Sequence, residues 1–219
     1  MVTHHPDAGI LADFSAGNLG MSPACCVAVH LEYCADCHSS VERFNVYGGE
    51  ALEDLPASAV DSVALPALLR KLGAAPTETV AATTRTTKGE TVPRALSRLL
   101  PNGTAGIQWK KHTASLKSAL LAIGDDTNQL SLLRMRAGRS PGRHDHSGSE
   151  WTVVLQGGFS DHHGVYGPGD FVALAAGDEH QPVAHQNEDC ICLASQDAPI
   201  RLSGWLGRFV NSSLRIVPA

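Results

Sequence analysis

The stretch Gly138-Arg-Ser-Pro-Gly-Arg-His144-Asp-His146-Ser-Gly-Ser-Glu150-Trp-Thr-Val-Val-Leu-Gln-Gly157 decides how the carboxyl-terminal part of the chain is read. Its spacing is G-x5-H-x-H-x3-E-x6-G. His144 and His146 alternate on what reads as a strand, so both imidazoles project to one face, and Glu150 keeps that parity. His180 follows in Gly169-x5-Ala175-x-Gly177-x2-His180, on a strand that a barrel would bring alongside. Three imidazoles and a carboxylate hold a divalent metal and leave its other positions to water or a small ligand. Zn, Fe, Mn, Ni and Cu all accept that donor set.

Outward from this motif the pattern is that of short strands. Ile107 to Lys111, Ser115 to Ile123, Leu130 to Arg136, Trp151 to Leu155, Phe171 to Leu174 and Cys190 to Ala194 are apolar or alternate with period two. Turn signals separate them, notably Gly124-Asp125-Asp126, Gly157-Gly158 and Gly167-Pro168-Gly169-Asp170. Many strands at short spacing predict a sandwich or barrel. His162-His163 falls in a hairpin and reads as solvated, while His112 and His185 have no companions at ligand spacing. Trp109, Trp151 and Trp205 read as packing residues, with Trp151 also placed to shape the mouth of the metal site.

The front of the chain differs in charge and in pattern. Residues 1–85 hold four basic against ten acidic groups, a net charge of −6, within a whole-chain charge of −5. Helices are predicted over Asp7 to Phe14, from Ser22 as N-cap with Pro23 at the first helical position, from near Cys34, and over Ser58 to Leu72, the last kinked at Pro66. In that last helix Val60, Val63, Leu68, Leu69 and Leu72 form one stripe. Ala74 to Gly89, rich in Thr and Ala, reads as a tether. The expected organisation is therefore a small all-α unit over residues 1–85, its linker from about 74, and an all-β unit over 90–219.

His30-Leu-Glu-Tyr-Cys34-Ala-Asp-Cys37 sets a histidine before a C-x2-C pair, donors that suit tetrahedral Zn(II). On one straight helix His30 and Cys37 would stand about 10 Å apart along the axis. One helix must therefore end near His30 and another begin at the cysteines, so that zinc pins a helix corner. The fourth ligand is sought in His5, which lies at a separate helix start; His4, Cys26, His38 and water are the alternatives. A helical unit with so few large apolar residues would draw much of its fold from the metal. Cys25 and Val29 are expected to pack inside it.

The six cysteines fall in close pairs, Cys25 with Cys26, Cys34 with Cys37 and Cys190 with Cys192, a placement that suits metal or redox groups and not a disulfide framework. Cys190 and Cys192 share one strand face and are candidates for a redox role, although buried inert thiols are the commoner outcome. Direct duplex-DNA binding is disfavoured by the acidic balance. No apolar run exceeds six residues, as from Ala24 to Val29, and no secretory signal is read, so a cytoplasmic location without membrane contact is expected.

The two carboxyl-terminal motifs resemble those of the cupin superfamily, over about Gly138 to Ala184. Ala175 stands where that family usually has Pro, and Ala184 where it usually has Asn. Joined to H-x3-C-x2-C, the chain is similar to the ChrR-type zinc anti-sigma factors nearly end to end. That resemblance implies a jelly-roll cupin, no enzymatic activity, and an extracytoplasmic-function sigma factor as partner, released in response to singlet oxygen or organic peroxide. It implies zinc on His5, His30, Cys34 and Cys37, and Zn(II), Fe, Mn or Ni on His144, His146, Glu150 and His180. A homodimer through the cupin is open to such a chain. The competing class is a cupin metalloenzyme of the dioxygenase or isomerase type.

Overall fold

The computed structural model describes residues 2–59, 63–74, 92–198 and 200–202. The expected tether from 75, Trp205 and Val60 lie outside these residues. Helix α1 (Ala8–Ser15) starts at Asp7, whose carboxylate accepts the Ile10 N–H at 2.8 Å and caps it. Helices α2 (Met21–Tyr33) and α3 (Ala35–Glu53) are parted only by Cys34, and α4 (Ala64–Ala74) follows. Cys34 is extended, and its sulfur accepts the Cys37 N–H at 3.4 Å, so a thiol serves as the N-cap of α3. The corner therefore falls at Cys34 itself, four residues beyond His30.

Two expected helix starts are displaced. Ser22 is not an N-cap; α2 begins at Met21 behind Gly20, whose lack of a side chain leaves the helix end without an internal cap. Its Ser22 N–H is satisfied from outside, by the Asp125 carboxylate at 2.8 Å. Pro66 sits in the first turn of α4, where a missing N–H removes no helical bond, so it opens the helix where a kink was expected.

The strands are β1 (Lys110–Lys111), β2 (Leu116–Leu121), β3 (Gln129–Met135), β4 (His144–His146), β5 (Glu150–Gln156), β6 (Phe159–Ser160), β7 (Val165–Tyr166), β8 (Phe171–Leu174), β9 (Glu179–His180), β10 (Val183–Ala184), β11 (Cys190–Gln196) and β12 (Ile200–Leu202). They pair antiparallel in the orders β1-β2-β3-β11-β5-β8, β10-β6-β7 and β12-β4-β9. The molecule is thus an all-α front followed by an all-β cupin-like part. The run from Ile107 yields only β1, because Gly103–Gly106 forms a 3-10 turn just before it.

The large sheet has a different neighbour on each face. Leu130, Leu132, Val153, Ile191 and Leu193 share one buried cluster with Cys26, Val27 and Val29 of α2. Met135, Val154, Phe159, Val172, Leu174, Cys190 and Cys192 form a second cluster inside the cupin-like part. Every residue of β11 is buried, as expected of a strand covered on both faces. Val27 and Val29, at 0% exposure, each contribute about 1.5 to 3 kcal/mol by burial. Polar contacts fasten the same seat: Glu32 accepts the N–H groups of Arg94 and Ala95, both at 2.8 Å, and the Ser22 hydroxyl donates to the Asn128 carbonyl at 3.1 Å.

Candidate metal centres

His5, His30, Cys34 and Cys37 each bring one ligand atom within 4.8 Å of the others. His5 Nδ1 lies 3.3 Å from Cys34 Sγ and 3.4 Å from Cys37 Sγ. His30 is fully buried, and its Nδ1–H donates to the Gly169 carbonyl at 2.7 Å. That bond leaves the lone pair on Nε2, a buried atom with no hydrogen-bond partner. Burial lowers the His30 pKa and favours the neutral, ligating ring. Burial and the adjoining Cys34 push the Cys37 thiol up to about 12, so its sulfur becomes a thiolate near neutrality only with a cation beside it. Two sulfurs and two imidazole nitrogens converging at a helix corner fit tetrahedral Zn(II).

The alternative donors point elsewhere. The His4 N–H donates to Asp170 at 2.9 Å, and its ring packs on Tyr166 with centroids 4.5 Å apart. Cys26 is fully buried and faces the sheet, its thiol 3.6 Å from the Trp151 carbonyl. His38 is exposed beside Glu42 at 3.6 Å. Cys25 and Val29 are buried in the cluster that α2 shares with the sheet.

The second group is His144, His146 and His180, again with ligand atoms within 4.8 Å of one another. β4 and β9 place His144 directly opposite His180. His144 Nδ1–H donates to the Gly142 carbonyl at 3.1 Å, and His180 Nδ1–H to Asp161 at 2.9 Å. Both Nε2 atoms are then acceptors, and they face each other at 2.9 Å. Such a pair needs a proton or a cation between its nitrogens. Burial, with His180 close by, lowers the pKa of His144, which disfavours the proton. His146 Nε2 is a further buried atom without a partner. The donor set fits a divalent ion.

Glu150 lies beside this group and lines the same cavity as His144 and His180. Its carboxylate lies 3.7 Å from His146 Nδ1, and it accepts the Thr152 hydroxyl at 3.1 Å and the Gln196 amide. Trp151 is not at the metal mouth; strand alternation turns it to the helix side, where it packs on Phe171 at 5.8 Å. Between the strands lies a cavity of about 80 Å³ lined by Met135, Phe159, Val172, Leu174 and Cys192 with His144 and His180. His112, read from sequence as a bland residue, also lines it and bonds Ser118 at 2.7 Å. The Cys190 and Cys192 sulfurs are 3.5 Å apart and buried. All six cysteines are free. The residue that sequence reasoning missed is Asp161: its neighbours His162 and His163 drew attention, and only the fold brings its carboxylate to His180.

Residues 102–198 match the family described as the ChrR cupin-like domain. Over 215 residues the sequence is 28% identical to the anti-sigma-E factor ChrR of Cereibacter sphaeroides, covering 98% of this chain and 99% of that protein. The chain resembles ChrR from end to end. The crystal structure of Rhodobacter sphaeroides SigE in complex with the anti-sigma ChrR matches at a TM-score of 0.76 and 25% identity, covering 90% of this chain and 100% of that one. The likeness to ChrR takes in the helical front as well as the cupin-like part. In both comparisons the named relative is an anti-sigma factor and not an enzyme. Among the described residues no helix is long and apolar enough to cross a membrane.

Proposed function

We propose that this protein is a cytoplasmic anti-sigma factor whose zinc-loaded helical unit binds and occludes an extracytoplasmic-function sigma factor. The observation that carries this reading is the uncovered apolar surface of α4 and the end of α3. Leu65, Leu68, Leu69 and Leu72 are more than half exposed, as are Val46, Tyr47 and Leu52. A helix this apolar on its outside is normally covered by a partner. The acidic balance of residues 1–85 complements the basic helices with which sigma factors meet DNA and polymerase. Similarity to a protein solved in complex with a sigma factor supports the same partner.

Zinc on His5, His30, Cys34 and Cys37 would hold the helix corner that carries α3. A second divalent ion on His144, His146 and His180, with Glu150 at its side, would let the cupin-like part take up the oxidant signal and weaken the hold on sigma. Co-expression with a sigma factor of this class tests the first step. The double variant Leu68→Asp/Leu72→Asp should lose more than about 2 kcal/mol of binding, a hot-spot effect, while stability shifts by less than about 0.5 kcal/mol per exposed site. Undiminished binding would sink the proposal. For the second step, His146→Ala should bind sigma normally and fail to release it on exposure to singlet oxygen or an organic peroxide.

A further inference from the structure

The two metal groups lie on different elements, yet the stretch from Asp161 to Asp170 touches both. At one end, Asp161 Oδ2 accepts His180 Nδ1–H at 2.9 Å, while its Oδ1 is tied down by the N–H groups of His163 at 2.9 Å and Gly164 at 3.2 Å. The Asp161 side chain is wholly buried. At the other end, the Gly169 carbonyl accepts His30 Nδ1–H at 2.7 Å. Asp170 then accepts the N–H of Thr3 at 2.6 Å and of His4 at 2.9 Å, the two residues that lead into His5.

Little between these ends can give. β7 pairs with β6, and Tyr166 packs its ring on Phe159, with centroids 4.7 Å apart, and on His4. The turn is closed by Gly167 N–H on the Asp170 carboxylate at 2.8 Å and Asp170 N–H on the Gly167 carbonyl at 3.0 Å, with Pro168 limiting rotation. Gly169 has φ +90, and a Cβ there would meet Tyr33 Cβ at 2.5 Å and Val2 Cγ2 at 2.8 Å. The carbonyl that orients His30 is thus wedged between the amino terminus and the end of α2.

We propose that residues 161–170 form one rigid strap that positions His180 in the cupin group and His30 in the front group, coupling the two metal sites. The inference rests on the metal-binding reading above and adds the route between them. A partner that accepts the Nδ1–H of a ligating histidine sets its tautomer and ring direction, and its removal typically costs 10- to 100-fold in metal affinity. Any change at the three-histidine group that turns His180 pulls on Asp161, and the strap carries that pull to Gly169 and so to His30. Asp161 is a positioning residue, not a ligand.

The experiment uses the full chain loaded with cobalt(II), whose charge-transfer absorption marks thiolate ligation at the front group, and a chromogenic chelator that follows release. Asp161→Ala should weaken the cupin group about 10- to 100-fold and speed loss of the thiolate-bound cobalt about 2- to 30-fold. Asp161→Asn, which keeps one acceptor and turns an N–H donor toward the other partner, should restore only part of both. Gly169→Ala, whose Cβ would press on Tyr33, should disturb the front group first and weaken the cupin group as well. Asp125→Ala, which loosens the seat of α2 far from the strap, should leave cupin affinity alone. The strap is refuted if Asp161→Ala weakens the cupin group with the thiolate band and release rate unchanged, or if Asp125→Ala reproduces both of its effects. A wild-type chain without any thiolate band would instead overturn the metal-binding reading itself.

Discussion

The front group and the cupin group are built in opposite ways. His144, His146 and His180 sit on paired strands whose backbone hydrogen bonds hold the three rings in place. His30, Cys34 and Cys37 sit at a helix corner, and His5 reaches it from an extended segment. The strand group is preorganised, whereas the corner would depend on a bound ion and on contacts borrowed from the sheet. The contrast teaches where each site should fail.

The largest effect should come from breaking the corner. Structural zinc supplies about 10 kcal/mol or more of folding free energy in small zinc modules. Cys34→Ala should therefore cost about one metal ion per chain and much of the helical circular dichroism, whereas His144→Ala should cost an ion and leave the helical signal in place. Metal analysis beside circular dichroism checks this, and equal helix loss in both variants would erase the contrast. Next comes the shared core. Leu193 has 0% exposure in the cluster between α2 and the sheet, and Leu193→Ala should cost about 2–5 kcal/mol. Urea unfolding followed by helix signal and by tryptophan fluorescence should move together; separated transitions would mean that the halves fold apart.

A finer distinction concerns Glu150. Held by Thr152 and Gln196 beside the histidines, it should contribute less than a ring ligand. Glu150→Gln is expected to weaken metal binding at the cupin group about tenfold, with His144→Ala weakening it far more, as read by chelator competition. The smallest effect is the cap supplied to α2. Burial raises the Asp125 pKa, but the N–H groups of Ser22, Asn128 and Thr127 and the Thr127 hydroxyl outweigh this and hold the carboxyl well below the usual range. Its contribution is present above the unfolded value near 4 and fades as pH falls through the lower folded value. Asp125→Ala should cost about 1 kcal/mol at about pH 6, and the gap from wild type should narrow in acid.

Much of this was legible in the residues. The alternation of His144 and His146 implied that both imidazoles share one face because strand periodicity is local and strict, with His180 expected on a neighbouring strand. His30-x3-Cys34-x2-Cys37 implied a bent pair of helices because one ion cannot span a straight one. Other features escaped for separate reasons. Ser22 looked like a cap and Pro66 like a kink until the starts of α2 and α4 were placed, and Trp151 looked like a rim residue although strand alternation turns it away from Glu150. Asp161 looked like an ordinary turn residue among histidines.

The sequence by itself determined the elements, the donor types and the acidity of the front, since these follow from periodicity, ligand chemistry and counting. Only the tertiary structure decided that α2 lies on the sheet and that Asp161 meets His180 while the Gly169 carbonyl meets His30. Those are contacts between residues 19 to 139 positions apart, made side chain to side chain or side chain to backbone. No local pattern encodes them, because a backbone oxygen carries no residue identity.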